Sequence, residues 1–148
     1  MTKASGLVLF DTSILLHVLR DSVVGKRAYE DAEQLGGAQR PLISVVTVGE
    51  LHSLARQLSW GQKRIDALDV LLRNVVVVDI NNGPVLSRYA ELDVWSRSRG
   101  RRMGKNDLWI AATASVTGAT LMTLDGDFDH LHPGHLSLVT YNLDGTKR

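Results

Sequence analysis

The sequence contains no cysteine. That excludes a disulfide framework, a thiolate zinc site and a cysteine nucleophile, and it fits a reducing compartment. A large charge of either sign is also missing: the formal net charge is +1, so overall charge points to no partner. No apolar run approaches the length of a membrane span. The run LVLFDTSILLHVL follows Lys3, but Asp11 interrupts its apolar centre and no small-residue cleavage site comes after it. A signal peptide is therefore not the reading, and the expected location is the cytoplasm. Internal repeats, low-complexity segments and linkers are absent as well. What remains is a chain of 148 residues with an ordinary apolar fraction, expected to form one domain over residues 1–148 with a core of its own.

The pattern along that chain alternates. Leu7 to Phe10 reads as a short buried strand ending at Asp11, followed by a helix from Thr12 or Ser13 through Leu19. A second helix is expected over Val24 to Leu35, closed by Gly36 and Gly37. Pro41 opens the apolar run LISVV, and helices follow over Thr47 to Leu58 and Gln62 to Arg73. Val75 to Val78 is a β-branched run of the kind found in a strand buried on both faces. Helices over Pro84 to Ser98 and around LWIAATA, then strands over Thr120 to Leu124 and Leu136 to Thr140, complete the series. Such alternation implies a parallel sheet of four to five strands, and right-handed crossovers make it a three-layer α/β/α sandwich. Sites in these sheets form beyond the carboxyl ends of the strands.

Four acids are expected at that edge. Asp11 and Asp125 directly follow the first and fourth strands, and Glu50 lies early in the helix after the second. Asp107 begins the helix that leads into the fourth strand, which places it at the same edge. Each aspartate alone has a plain explanation as a helix cap or turn residue. Capping does not explain why all of them flank apolar runs at one edge. Two carboxylates 5 Å apart repel by roughly 3 kcal/mol at an effective dielectric near 20, so four together need raised pKa values or a counter-ion. An all-oxygen ligand set favours Mg²⁺ or Mn²⁺, and such an ion suits phosphoryl chemistry. Just before Asp107, the run RSRGRRMGK carries five basic residues and no acid. It reads either as a solvated loop or as a contact for phosphates.

The segments FDTSILL, VGEL, NDLWIAA and TLDGDF, in that order and spacing, resemble the motifs of the PIN-domain ribonucleases, and most closely the VapC-type toxins of bacterial toxin–antitoxin pairs. The resemblance spans Leu7 to Val139. It implies a metal-dependent endoribonuclease that cleaves RNA through a metal-activated water. Asp11 and Asp107 would be the principal metal ligands, with Glu50 and Asp125 acting through water or at a second metal. Asp127 and Asp129 are alternatives for the fourth acid. Ser13 or Thr12 would hydrogen-bond a ligand carboxylate or a bound water, and Asn106 would reach a phosphate. Arg99, Arg101, Arg102 and Lys105 are the candidates for RNA backbone contacts. The resemblance further implies an antitoxin partner that covers the acidic site, and a homodimer.

Other readings carry less. His130, His132 and His135 belong to a turn-rich loop and are not read as a metal site; His52 is read as packing. Tyr89, Leu92 and Trp95 share helical spacing and read as a core stripe. A receiver domain would use Asp79 as phosphate acceptor but needs paired acids where Asp11 stands alone. A haloacid-dehalogenase-type phosphatase needs an Asp where Ser13 stands. The main rival is a non-catalytic PIN-like scaffold for RNA or protein, which would be expected to have lost some of the acids.

Overall fold

A computed structural model describes residues 6–148; Lys3 lies outside the described residues. Five strands form one sheet: β1 (Val8–Phe10), β2 (Leu42–Ser44), β3 (Val76–Val78), β4 (Thr120–Thr123) and β5 (Ser137–Thr140). Their order is β3-β2-β1-β4-β5 and every pairing is parallel, with Leu9 beside Leu42 and Phe10 beside Met122. The helices are α1 (Thr12–Leu19), α2 (Val23–Gly36), α3 (Val45–Gln57), α4 (Gln62–Arg73), α5 (Gly83–Ser98) and α6 (Lys105–Thr117).

Alternation along the short strands divides the core. Leu9 and Leu121 turn to one face, where they pack with Val85 and Leu92 of α5 and with Leu108 and Ile110 of α6. Val8, Phe10 and Met122 turn to the other, against Ile14 and Leu15 of α1, Val24 and Ala28 of α2, Leu51 of α3 and Leu68 of α4. Successive strand residues point to opposite faces, so a run of three or four apolar residues serves both layers. The expected three-layer α/β/α sandwich is the architecture observed, with five strands. The stripe of Tyr89, Leu92 and Trp95 packs into the α5–α6 layer.

Three expectations need correction. The valine run does not form a strand buried on both faces. β3 is an edge strand, and Val76 and Val77 are each 44% exposed. β-Branched composition reports strand tendency but not lateral position in the sheet. The LISVV run is not one strand either: Ser44 ends β2 and its hydroxyl accepts from the Val46 amide, so Val45 and Val46 already belong to α3. Finally, His130, read as part of a turn-rich loop, lies in a 3₁₀ helix, Gly126–Leu131, anchored by the buried Phe128 and Leu131.

The strand order is what positions a site. From β1 the chain moves outward through β2 to β3, then returns to β4 on the other side of β1. The β1–β4 boundary is therefore a topological switch point, where the connections leave in opposite directions and a crevice opens at the carboxyl edge. Asp11 and Asp125 stand on its two sides.

Candidate active site

Asp11 is 5% exposed and caps α1, its Oδ1 accepting from the Thr12 amide at 2.7 Å. Its other oxygen accepts from Ser13 Oγ at 3.0 Å and from Thr123 Oγ1 at 2.6 Å. Three donors from α1 and β4 thus fix one carboxylate. Burial raises its pKa, opposed chiefly by the Thr123 hydroxyl, then by Ser13 and the Thr12 amide, while the charge of Glu50 raises it further. Glu50 stands in the second turn of α3 and accepts from Thr12 Oγ1 at 2.6 Å. Thr47 Oγ1 lies 2.9 Å from Thr12 Oγ1. Since Thr12 has one hydroxyl proton and gives it to Glu50, Thr47 is the donor in that pair.

Asp125 caps the 3₁₀ helix, its Oδ1 accepting from the Asp127 amide at 2.9 Å. Its own amide donates to Thr123 Oγ1 at 2.9 Å. Thr123 therefore donates to Asp11 and accepts from Asp125, tying the two sides of the crevice together. Asp107 differs from both aspartates. It is the third residue of α6, and Gly104, not Asp107, is the N-cap. Among the described residues its carboxylate has no hydrogen-bond donor. Burial, followed by the charges of Asp11, Asp125, Asp127 and Glu50, pushes its pKa up to about 7. Those causes show that Asp107 lies close enough to feel all four other acids.

Asp107, Asp125 and Asp127 each offer a carboxylate oxygen, and the three oxygens lie within 4.8 Å of one another. Opposite oxygens on an octahedral Mg²⁺ are about 4.2 Å apart, so a small closure fits this set to a hard cation. The all-oxygen donors and the unneutralised charge at Asp107 point to the same class of ion. Asp127 thus joins the acids expected from the sequence. Asp129 turns away toward β5, where it accepts from Thr140 Oγ1 at 3.4 Å.

Sequence reasoning missed Thr123 and the fully buried Thr47. A signal for Thr123 was present: in TLD it stands two residues before Asp125 at a strand end, where alternate residues share a face. Of the basic run, Arg97 is paired with Asp93 at 2.9 Å and Arg99 lies over the Trp95 ring at 4.9 Å. Arg101, Arg102 and Lys105 are exposed and make no ion pair among the described residues. The buried Met103, touched by Ser96 Oγ, anchors the loop that carries them. Asn106 lines a groove beside Glu50. The three histidines are held by packing and hydrogen bonds: His130 meets Ser96 Oγ at 2.9 Å and stacks on the Trp95 ring, which His135 also touches, and His132 meets the Leu136 carbonyl and Leu138 amide. Asp79 ends the edge strand and closes a turn by accepting from the Asn81 amide.

These features define an α/β protein with an acid-lined centre at the switch point of a parallel sheet, equipped to hold a hard cation. The chain belongs to the PIN-domain family, whose model matches residues 8–132. Ribonuclease VapC1 of Haemophilus influenzae (strain R2866) is 28% identical over 117 residues, covering 79% of this chain and 85% of that protein. The structure of VapBC2 from Rickettsia felis, bound to a DNA fragment from its promoter, superposes with a TM-score of 0.79 at 23% identity, covering 92% of this chain and 99% of that one. VapBC-1 from nontypeable Haemophilus influenzae gives a TM-score of 0.74 at 26% identity, covering 90% and 97%. No described helix is long and apolar enough to cross a membrane.

Proposed function

We propose that this chain is a metal-dependent endoribonuclease, a single domain over residues 1–148, acting in the cytoplasm as the toxin of a toxin–antitoxin pair. One observation supports the reading: Asp107, Asp125 and Asp127 bring carboxylate oxygens within 4.8 Å of one another, Asp11 and Glu50 raise the pKa of Asp107 further, and among the described residues Asp107 has neither a counter-charge nor a hydrogen-bond donor. A binding scaffold would have no use for such a group. The ribonuclease name of the curated relative and the toxin–antitoxin complexes among the structural neighbours support the same reading. They also support an antitoxin protein as partner. A homodimer rests on the resemblance alone.

Asp11, Glu50, Asp107 and Asp125, joined by Asp127, would hold Mg²⁺ or Mn²⁺. A divalent cation there supplies orientation of the scissile phosphate, activation of water and stabilisation of the leaving oxygen. The chain's own contribution is rigidity and proton control. Thr123, Ser13 and the Thr12 amide hold Asp11 in one rotamer, and Thr12, itself oriented by Thr47, aims Glu50. Ligands fixed in this way suit a cation that demands near-ideal geometry. Asp107, without a hydrogen-bond donor among the described residues, would give up its proton as the cation binds. Arg101, Arg102 and Lys105, with Arg99 on the same loop, would contact the RNA backbone.

The test is to incubate wild type and Asp107→Asn with total cellular RNA, with Mg²⁺ or Mn²⁺ and then with EDTA, and to sequence the new 5′ ends. Discrete, metal-dependent cuts made only by the wild type are expected. No cuts by folded, partner-free wild type would return the protein to the scaffold class. Growth arrest on expression, relieved by the co-expressed partner, is the expected cellular outcome.

A further inference from the structure

Beside Glu50, an open groove of about 510 Å³ runs along α3, with Asn106 of α6 also lining it. Val46, Gly49, Glu50, Ser53, Leu54 and Gln57 line it from α3, and Asn106 lines it from the first turn of α6. Spacings of three and four put all the α3 residues on one face. The volume suits a small organic group. Glu50 belongs both to this groove and to the acidic centre, so an occupant would lie next to the bond being cut.

The lining describes that occupant. Val46 and Leu54 are half-buried and apolar. Gly49 lies between them, and a Cβ added there would meet no atom within 4 Å. Its backbone is ordinary helix, where glycine is a weak choice, so the fold does not require it. What the missing side chain does is keep the groove open. The walls carry amides. Gln57 Nε2 donates to Ser53 Oγ at 2.8 Å, which leaves its second N–H and its carbonyl oxygen without a partner among the described residues. The Asn106 amide has no hydrogen-bond partner among the described residues. A phosphate would call for cations, and among the described residues the charge lining the groove is the carboxylate of Glu50. Amide donor–acceptor pairs beside apolar side chains match instead the edge and face of an unpaired nucleobase.

We propose that this groove is a base-reading subsite: an unpaired base flanking the cut lies over Gly49 with its edge against Gln57 and Asn106. Gly49, Ser53, Gln57 and Asn106 then set the sequence preference of cleavage. The inference rests on the ribonuclease reading above. It is tested by cutting a randomised single-stranded RNA pool with wild type, Gly49→Ala, Gly49→Leu and Gln57→Ala, sequencing the new 5′ ends, and measuring kcat and KM on the preferred RNA. The wild type should show a preference at one position beside the cut, and Gln57→Ala should lower it there by about ten-fold. Gly49→Leu should raise KM more than it lowers kcat, because the filled groove excludes the base. Gly49→Ala, a better helix former, should melt no lower than wild type and should lower the preference less than Gln57→Ala does. Folded variants that keep the wild-type preference at every position and an unchanged KM overturn the subsite. Should Gly49→Leu not fold, Gly49→Ala and the exposed Gln57→Ala decide the matter. A wild type that cuts total cellular RNA but nothing in the pool overturns the subsite alone, and one that cuts neither removes the ribonuclease reading and the subsite with it.

Discussion

Replacing Asp107 by Asn should abolish cleavage and, at the same time, make the cation-free protein more stable. The carboxyl accepts no hydrogen bond among the described residues, so the substitution leaves no donor stranded. It does remove a charge that burial and four neighbouring acids disfavour. The folded pKa, about 7, lies above the unfolded value of 3.8. A proton is therefore held by the folded protein over a range where the unfolded chain has lost it. The cost of ionisation is absent below about pH 4, grows as pH rises, and is complete only above about pH 7. Taken whole, that interval is worth at most ~4 kcal/mol, at ~1.4 kcal/mol for each pH unit. Asp107 is partly exposed to solvent, and screening reduces the figure to about 1 kcal/mol. In a domain of this size that corresponds to a rise in Tm of roughly 2–4 °C. Thermal melts in EDTA should show this gain at pH 8 and less than half of it at about pH 4. Adding Mg²⁺ at pH 8 should stabilise the wild type and not the variant. A variant that melts below wild type at pH 8 in EDTA, or gains equally at both pH values, would refute the electrostatic account of this site.

Three further outcomes are expected. Thr123→Val keeps the shape but removes the hydroxyl that most lowers the Asp11 pKa. It should cost about 1–3 kcal/mol at pH 8 by chemical denaturation and move the acid limb of the cleavage profile to higher pH; an unshifted limb would show that Thr123 does not control Asp11. Neutralising Arg101, Arg102 and Lys105 together should weaken RNA binding and flatten the plot of log affinity against log salt by roughly 0.7 for each cation that had met a phosphate, as read by filter binding over a salt series. An unchanged slope would remove the loop from the RNA interface. Val76→Lys on the exposed edge should change stability by no more than about 0.5 kcal/mol, against roughly 2–5 kcal/mol for Leu121→Ala in the sheet centre. Comparable destabilisation by the two would restore a buried β3.

Much of this was legible in the order of residue types. Short apolar runs ending in Asp11 and near Asp125 announce parallel strands that deliver acids to one edge, and periodic segments between them announce the covering helices. What the sequence could not express is lateral. Four valines look the same at the centre of a sheet and at its rim, so β3 was misplaced in burial though not in type. Ser44 has the same ambiguity: only its capping bond to Val46 shows that the apolar run changes from strand to helix midway. At the site, acids are conspicuous because charge beside apolar residues is rare. Thr47 and Thr123 are not, since a buried hydroxyl leaves no pattern until its partner in space is known. Asp127 was separable from Asp129 only once the 3₁₀ helix had turned one toward the crevice and the other toward β5.

The strand order also imposes a schedule. β4 is the neighbour of β1 in space yet follows it by more than a hundred residues in the chain. Asp11, Glu50 and Asp107 all leave the ribosome before Thr123, which buttresses the first of them, and before Asp125 and Asp127. A growing chain is thus a set of scattered carboxylates, and a message broken or stopped ahead of β4 yields a protein with half a crevice. The crevice is whole only when the last part of the chain has been made.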